Sequence, residues 1–300
     1  MTSRSDLSSR DAGGRDDFPL TTDETAALVA AALAEDIGPG DLTGEAVVPA
    51  DARLSARMRA REPLVVCGLP LAVGCFRHLD ADARIEVAAR DGEVLAAGSV
   101  LMHVEGSARA LLAAERTALN FVQHFSGIAS LAHRFVEAVA GTGATILDTR
   151  KTLPLYRRLQ KYAVRCGGAT NHRMGLHDAV MIKDNHIALA GSLKAAVDAA
   201  RRAGHRAIEV ECDTLDQVKE ALSLGIDHLL LDNMSIEELR HAVAMAKGRA
   251  RLEASGGVTL ESVRAIAETG VDFISIGRLT MSAPAVDIGL DAQQTTERNG

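Results

Sequence analysis

Residues able to bind ions or transfer protons stand directly after six short apolar runs in the second half of the chain. The first four runs are followed by charged stretches: Asp148-Thr149-Arg150-Lys151-Thr152, Lys183-Asp184-Asn185-His186, Glu211 and Asp232-Asn233. The last two runs are followed by glycine turns: Ser255-Gly256-Gly257 and Gly277-Arg278. In a β/α barrel the carboxyl ends of the strands meet at one rim, where active sites are built. We therefore interpret these six positions as parts of a single site.

Positive charge is concentrated in the first part of this region, although the whole chain carries a net charge of −7. Eight basic residues and one acid, Asp178, occur in the segment that contains Arg150, Lys151, Arg157, Arg158, Lys161, Arg165, Arg173 and Lys183. We interpret four of them as a solvated helix face: Arg157, Arg158, Lys161 and Arg165. Lys183 directly ends an apolar strand, and we interpret it, together with Arg150, Lys151 and Arg173, as inward-facing. An inward-facing cation needs an anion to offset its desolvation. Because arginine can clamp a carboxylate or phosphate with two hydrogen bonds, we expect a ligand with several negative charges.

Glycine turns and two acids complete the predicted site. Ser255, Gly256, Gly257 and Gly277 follow the last two strands, where barrel enzymes commonly bind phosphate through backbone N–H groups. Glu211 and Asp232 on neighbouring strands could bind Mg²⁺ together with phosphate oxygens, or could pair with the arginines. His172 could donate to an anion or serve only a structural role. The pattern favours a barrel enzyme that acts on a polyanionic, phosphorylated substrate with Mg²⁺.

The elements that must position these residues are predicted from hydrophobic patterning. The six apolar runs are Ala144 to Leu147, Ala179 to Ile182, Ala207 to Val210, His228 to Leu231, Arg251 to Ala254 and Phe273 to Ile276. Helical patterns lie between them, and short apolar strands that alternate with helices are typical of a parallel sheet covered on both faces. The chain lacks a dinucleotide glycine fingerprint, so an incomplete β/α barrel is favoured over a doubly wound sheet.

The first half of the chain is predicted to form a small unit of helices and strands. Thr21 and Glu24 form a capping-box pattern at the start of a helix that should end near Ile37. Strands are predicted at Arg53 to Arg61, Arg84 to Ala89 and Ser99 to Glu105. A helix is predicted from Ala108 to about His124, with a second helix after Gly127.

Composition excludes several classes of protein. The 300 residues include 47% apolar residues, enough for a large globular core, and an acidic balance that argues against a nucleic-acid partner. The four cysteines match neither zinc-site nor redox-motif spacing, and no apolar run is long enough to span a membrane. We expect a cytoplasmic protein with no membrane association.

Five motifs in order resemble those of the quinolinate phosphoribosyltransferases. They are Glu115-Arg116-Thr117-Ala118-Leu119-Asn120, Ser126-Gly127-Ile128-Ala129, Asp148-Thr149-Arg150-Lys151-Thr152, Gly167-Gly168-Ala169-Thr170-Asn171-His172-Arg173 and Ile182-Lys183-Asp184-Asn185-His186. The likeness runs from about Leu20 to Leu290. It implies an N-terminal α/β sandwich domain (20–126), an incomplete parallel β/α barrel of about six strands (127–285) and a C-terminal segment (286–300) that packs back on the first domain. Residues 1–19 are expected to be a disordered tail.

The resemblance also implies an activity and a role for each site residue. A pentosyltransferase of this family joins quinolinate to phosphoribosyl pyrophosphate, with loss of pyrophosphate and CO₂, to give nicotinate mononucleotide for de novo NAD biosynthesis. It is implied to be a homodimer in which Arg116 of one subunit completes the site of the other. The residues implied to hold the quinolinate carboxylates are Arg116, Arg150, His172, Arg173 and Lys183. Lys151 is implied to contact pyrophosphate, Glu211 and Asp232 to bind the ribose hydroxyls and Mg²⁺, and the 5-phosphate to be held by Ser255, Gly256, Gly257 and Gly277. The implied catalytic set is Lys151, Lys183, Glu211 and Asp232.

Two positions depart from the family pattern, and other functions stay open. Arg278 stands where the family usually has a small residue, and Met281 stands where histidine or lysine is common. One alternative is a relative that acts on a different acid, such as the homologue associated with molybdenum-transport genes. Others are a Schiff-base lyase that uses Lys183 and a non-catalytic anion-binding protein.

Overall fold

The computed structural model describes residues 17–293, so most of the predicted tail and the last seven residues lie outside the described part. The chain forms two compact units. The first unit comprises residues 17–131, Arg158–Gly168 and 282–293, and the second comprises Ala132–Arg157 and Ala169–Met281.

The elements follow in chain order. Those of the first half are α1 (Thr22–Ile37), α2 (Leu42–Val47), β1 (Arg53–Ala60), β2 (Leu64–Val65), α3 (Leu69–Leu79), β3 (Arg84–Val87), β4 (Val94–Leu95), β5 (Val100–Ser107) and α4 (Ala108–Ala138). Those of the second half are β6 (Thr145–Leu147), α5 (Arg157–Cys166), β7 (Val180–Ile182), α6 (Asp184–Ala190), α7 (Leu193–Arg202), β8 (Ile208–Cys212), α8 (Leu215–Ser223), β9 (His228–Asp232), α9 (Ile236–Ala246), β10 (Arg251–Ser255), α10 (Leu260–Ala267), β11 (Phe273–Ser275), α11 (Arg278–Met281) and β12 (Ile288–Ala292).

An antiparallel sheet organises the first unit. Its strand order is β12-β1-β5-β3, and a separate pair is formed by β2 and β4. In β1 the apolar side chains Ala56, Met58 and Ala60 are buried, as the alternating pattern predicts. The capping box at α1 is confirmed, because Thr21 Oγ1 accepts the Glu24 amide (3.2 Å) and Glu24 accepts the Thr21 amide (2.8 Å).

The predicted break near Gly127 is wrong, because α4 is one continuous helix of 31 residues. A β-carbon at Gly127 would lie 2.1 Å from the carbonyl oxygen of Pro284. This glycine therefore allows another stretch of backbone to approach the helix and does not end it.

The second unit is built on the predicted parallel sheet. Its six strands have the order β6-β11-β10-β9-β8-β7, and all five pairings are parallel. Helices connect successive strands, and the central strands are almost fully buried because helices cover one face while side chains fill the other. Beside β6, Thr170 forms an isolated parallel bridge with Leu147. The incomplete β/α barrel is thus confirmed.

The expectation of a solvated basic face on α5 is wrong for Lys161 and holds for Arg158. Lys161 is fully buried, and Arg165 lies over the Tyr162 ring with its guanidinium carbon 5.5 Å from the ring centroid. Exposed Arg158 pairs with Glu24 at 2.6 Å. The local excess of basic residues in the sequence did not indicate that these side chains make contacts within the protein.

Leu155 adopts a backbone conformation that favours glycine. It has a φ of 68° in the turn closed by the Tyr156 amide and the Leu153 carbonyl (3.2 Å), and its side chain is fully exposed. We predict that Leu155→Gly raises the free energy of unfolding by about 0.5 kcal/mol, because relief of about 1–2 kcal/mol of strain exceeds the added entropy of the unfolded chain. Leu153→Gly, in the same loop at negative φ, should instead destabilise. Denaturant unfolding followed by circular dichroism measures both; a shift of the same sign in the two variants would contradict the strain.

Candidate active site

Most of the strand-end residues singled out in the sequence line one cavity of the second unit. The cavity has a volume of about 290 Å³ and opens at the carboxyl ends of the strands. Its predicted lining residues are Arg150, Lys151, His172, Arg173, Lys183, Glu211, Asp232 and Ser255. Further lining residues that were not predicted are Thr149, Met181, Leu230, Glu253 and Ser275. Four basic side chains and two rim acids, Glu211 and Asp232, therefore share one hollow.

The remaining predicted residues do not line this cavity. Arg116 is exposed on α4, in the first unit. Gly256 and Gly257 form the turn after β10 with φ values of 97° and 59°. A β-carbon at Gly277 would lie 2.9 Å from Cδ of Lys151, so this glycine gives the lysine room.

The loop that carries Arg150 and Lys151 is held by hydrogen bonds from Arg157 and Thr280. The Arg157 guanidinium donates to Thr152 Oγ1 (3.0 Å) and to the Met174 carbonyl (3.1 Å). The Lys151 carbonyl accepts a hydrogen bond of 2.6 Å from Thr280 Oγ1. With the backbone fixed in this way, less conformational entropy is lost when the two basic side chains bind a ligand.

Arg173 is buried beside the cavity and is oriented by its neighbours. Its guanidinium donates to the Ala179 carbonyl at 3.0 Å and lies 3.5 Å from Met181 Sδ. The preceding residues are anchored by the fully buried Asp148 carboxylate, which accepts the Asn171 side-chain amide (2.6 Å) and the His172 backbone amide (2.8 Å). This segment therefore presents Arg173 in a preorganised position.

Opposite charges meet across two neighbouring strands. Lys183 follows β7, and its Nζ donates directly to the Glu211 carboxylate at the end of β8. The Lys183 side chain is 39% exposed and that of Glu211 only 13%, so the lysine remains accessible to a ligand. Asp232 ends β9 and accepts a 2.7 Å hydrogen bond from the Asn233 side chain.

The turn after β10 requires glycine at its first position. A β-carbon at Gly256 would lie 2.1 Å from Oδ1 of Asn233, and the positive φ of Gly256 is strained for any other residue. The Asn233 amide donates to the Ser255 carbonyl at 2.9 Å. The backbone segments that follow β9 and β10 are thus hydrogen-bonded to each other at this edge of the cavity.

His172 lies between the cavity and two buried carboxylates. Its Nε2 is 3.3 Å from Glu209 and 3.4 Å from Glu253, and its Nδ1 lies 2.8 Å from the Arg173 amide nitrogen, which donates to it when the ring is neutral. Burial opposes protonation, but the two carboxylates outweigh it and raise the pKa of His172 to about 9. Burial likewise opposes ionisation of Glu253, yet the histidines His172 and His228 hold the pKa of its carboxyl below the usual value.

These shifts predict how stability depends on pH. A histidine with a raised pKa stabilises the folded state below its unfolded pKa of 6.5, and this contribution disappears as pH rises through about 9. We expect the free energy of unfolding to fall by about 1–3 kcal/mol over this window. The ionised Glu253 acts on the other side, because its contribution is lost as pH falls below 4.5.

The comparison with His172→Asn isolates the effect of this histidine. Because the chain has no tryptophan, circular dichroism in denaturant is the suitable measurement. Between pH 6.5 and 9 the stability curve of the variant should be flatter than that of the parent. Parallel curves for the two proteins would contradict the raised pKa.

Two sets of acids could hold a metal ion in the described residues. Glu211 and Asp232 offer two carboxylates at the cavity, which fits Mg²⁺ because this ion binds one or two carboxylates and takes its other ligands from water and substrate. His172, Glu209 and Glu253 form the second set, with ligand atoms within 4.8 Å of one another. This second set is buried in the barrel interior, where the imidazoles already offset the carboxylate charge.

Sequence reasoning missed Glu209 and Glu253. It considered only the residue after each strand, whereas these acids lie inside β8 and β10. A signal was available, since Glu209 precedes Glu211 by two positions and therefore shares its face of the strand. A charged residue within an otherwise apolar strand indicates a polar barrel interior.

No helix in residues 17–293 is both long enough and apolar enough to cross a membrane.

Most of the chain is similar in sequence to known proteins. Residues 41–126 match the family described as quinolinate phosphoribosyl transferase, N-terminal domain, and residues 128–291 match its C-terminal domain. A nicotinate-nucleotide pyrophosphorylase [carboxylating] of Mycobacterium leprae (strain TN) is 45% identical over 267 residues, which cover 87% of this chain and 94% of the relative.

Solved structures agree with these matches. The crystal structure of nicotinate-nucleotide pyrophosphorylase from Ehrlichia chaffeensis is 41% identical, with a TM-score of 0.87 and coverage of 92% of this chain and 100% of the other. The corresponding protein from Francisella tularensis is 39% identical, with a TM-score of 0.85 and coverage of 91% and 98%.

Proposed function

The chain belongs to the quinolinate phosphoribosyltransferase family, and from this premise we propose how its cavity performs the reaction. The protein is a pentosyltransferase of de novo NAD biosynthesis. It transfers the phosphoribosyl group of phosphoribosyl pyrophosphate to quinolinate, and releases pyrophosphate and CO₂ as nicotinate mononucleotide forms. The assignments of individual residues below are our proposal.

Quinolinate is held through its two carboxylates by basic side chains of the cavity. Arg150, Arg173 and Lys183 line the same hollow, which suits a dianion. His172 adds positive charge beside them, because, despite its burial, the neighbouring carboxylates raise its pKa to about 9. Lys183 contacts Glu211 in the ligand-free cavity, so substrate binding requires this ammonium group to turn toward the incoming carboxylate.

The sugar and the leaving group lie between charges of opposite sign. Loss of pyrophosphate leaves positive charge on the ribose, which the fixed carboxylates of Glu211 and Asp232 stabilise. Lys151 binds the departing pyrophosphate, and its exposed side chain suits a large anion. Glu211 and Asp232 are also the residues that would hold Mg²⁺, which supplies neutralisation of the developing negative charge.

Decarboxylation then follows from the product itself. Once the pyridine nitrogen carries the sugar it is cationic, so it stabilises the carbanion left when the adjacent carboxylate departs as CO₂. This carbanion takes up one proton from water to give nicotinate mononucleotide. The 5-phosphate of the sugar is assigned to Ser255 and the turns at Gly256, Gly257 and Gly277, where glycine permits close backbone approach.

The site is completed by a second copy of the chain. Arg116 is exposed and belongs to the first unit, so we assign it to the site of a partner subunit in a homodimer. We also propose a cytoplasmic location, because all four cysteines are free and buried, as in proteins of reducing compartments.

The gathering of four basic side chains with the rim acids Glu211 and Asp232 in one cavity carries this proposal. The experiment is an assay for pyrophosphate and CO₂ release with phosphoribosyl pyrophosphate and either quinolinate or nicotinate. We expect equal amounts of both products from quinolinate and at least about a thousandfold lower kcat/KM for nicotinate, since a missing carboxylate leaves buried cations unpaired. Comparable turnover of the two acids would refute the assignment of the basic residues.

A further inference from the structure

Two glutamates lie on the inner strands of the barrel, and one of them, Glu253, also lines the cavity. Glu209 on β8 is 2% exposed and Glu253 on β10 is fully buried. Their carboxylates face two histidines, His172 on the cavity side and His228 at the start of β9. The family roles proposed above include neither glutamate.

Stability alone does not account for these acids. Desolvating a carboxylate costs several kcal/mol, and well-packed apolar residues in place of buried ion pairs are often neutral or stabilising. Glu253 has no hydrogen bond of good geometry at either oxygen, so its charge is offset chiefly by the rings 3.4 Å away. A barrel interior filled with aliphatic side chains would avoid the free-energy cost of desolvating these carboxylates.

Both acids contact the imidazole ring of His172, which lines the proposed substrate site. Oε1 of each glutamate faces Nε2 of His172, at 3.3 Å for Glu209 and 3.4 Å for Glu253. Nδ1 of the same ring lies 2.8 Å from the backbone amide nitrogen of Arg173. The two carboxylates therefore fix the orientation of the ring that lines the cavity next to Arg173.

We propose that Glu209 and Glu253 are positioning residues for quinolinate binding, which act by holding the imidazole of His172 next to Arg173. This inference rests on the proposed role of His172 in holding a substrate carboxylate. His228 stabilises the arrangement from the far side, because its Nε2 lies 3.4 Å from Oε2 of Glu253 while His172 faces Oε1. The Glu253 carboxylate is thus held between two rings.

The test is a double-mutant cycle with Glu253→Gln and His172→Asn, measured on the full-length enzyme. Glu253→Gln keeps the shape of the side chain and removes its charge. We expect it to raise the KM for quinolinate about tenfold or more, with the KM for phosphoribosyl pyrophosphate within about twofold of the parent. In the His172→Asn background the same change should cause no further loss, because the effect passes through the ring. Glu220→Gln, on the exposed face of α8, is the matched control.

Other results of this experiment would contradict the proposal, and they can be told apart. Additive losses, or equal rises in both KM values, would overturn the proposal in favour of a structural role. If His172→Asn matches the parent, the role assigned to His172 fails; if His172→Asn is defective and Glu253→Gln is not, only the positioning role fails. A stoichiometric divalent metal that copurifies with the parent and is absent from Glu253→Gln would identify a metal centre instead.

A second variant tests the proposal if Glu253→Gln does not fold. Glu209→Gln changes the other carboxylate and should show the same rise in the quinolinate KM. If neither variant gives folded protein by circular dichroism, the acids are needed for folding and the positioning role is rejected.

Discussion

Lys183→Ala is expected to lower kcat/KM for quinolinate by about a thousandfold, which corresponds to about 4 kcal/mol of lost transition-state stabilisation. Two effects combine in this variant. A carboxylate of the substrate loses its ammonium partner, and the Glu211 carboxylate, only 13% exposed, loses the cation that it contacts. Steady-state rates of CO₂ release over a range of quinolinate concentrations provide the measurement.

Lys194→Ala is the matched control. Lys194 also pairs with an acid, Asp198, at 2.5 Å, but the lysine is 66% exposed and lies on α7, away from the cavity. An exposed pair of this kind contributes little, so activity should stay within about twofold of the parent. A Lys183→Ala enzyme that retains more than a tenth of the parent activity would remove this lysine from the proposed mechanism.

A mixture of Arg116→Ala and Lys183→Ala subunits is expected to recover activity that neither variant has alone. Arg116 lies in the first unit and Lys183 in the second. If each site takes Arg116 from the partner subunit, a mixed dimer contains one site with both residues intact. Random exchange of equal amounts should then restore about a quarter of the parent activity, because half the dimers are mixed and each has one working site.

The control mixture combines Arg150→Ala with Lys183→Ala. Both residues line the cavity of one chain, so every mixed dimer still lacks one of them at each site. This mixture should stay inactive. If mass spectrometry shows complete subunit exchange and both mixtures remain inactive, Arg116 does not act across a dimer interface.

The sequence predicted the barrel more reliably than the side-chain contacts within it. The six apolar runs correspond to β6–β11 because strands buried on both faces must be apolar and short. The capping box at Thr21 was also predicted correctly, because its hydrogen bonds connect residues that are three positions apart in the sequence. Signals of this kind are local, and each depends on only a few neighbouring residues.

The errors arose where distant parts of the chain meet. Gly127 looked like a helix break because its close contact, Pro284, is 157 positions away in the sequence. Lys161 looked solvated because a basic residue is usually exposed, whereas the fold buries it completely. Glu253 was overlooked because its relation to His172 exists only after β10 and the segment before β7 have come together. Long-range contacts of this kind leave no local pattern.

The pairing of β12 with β1 has a consequence for biosynthesis. Ala56 lies opposite Ala292, so the sheet of the first unit receives its edge strand from a segment that follows the whole barrel in the sequence. The entire barrel is translated before this strand becomes available. The unit that emerges first must therefore wait, with one side of its sheet open, while the unit that emerges later can already fold; that interval is when a nascent chain is most exposed to aggregation.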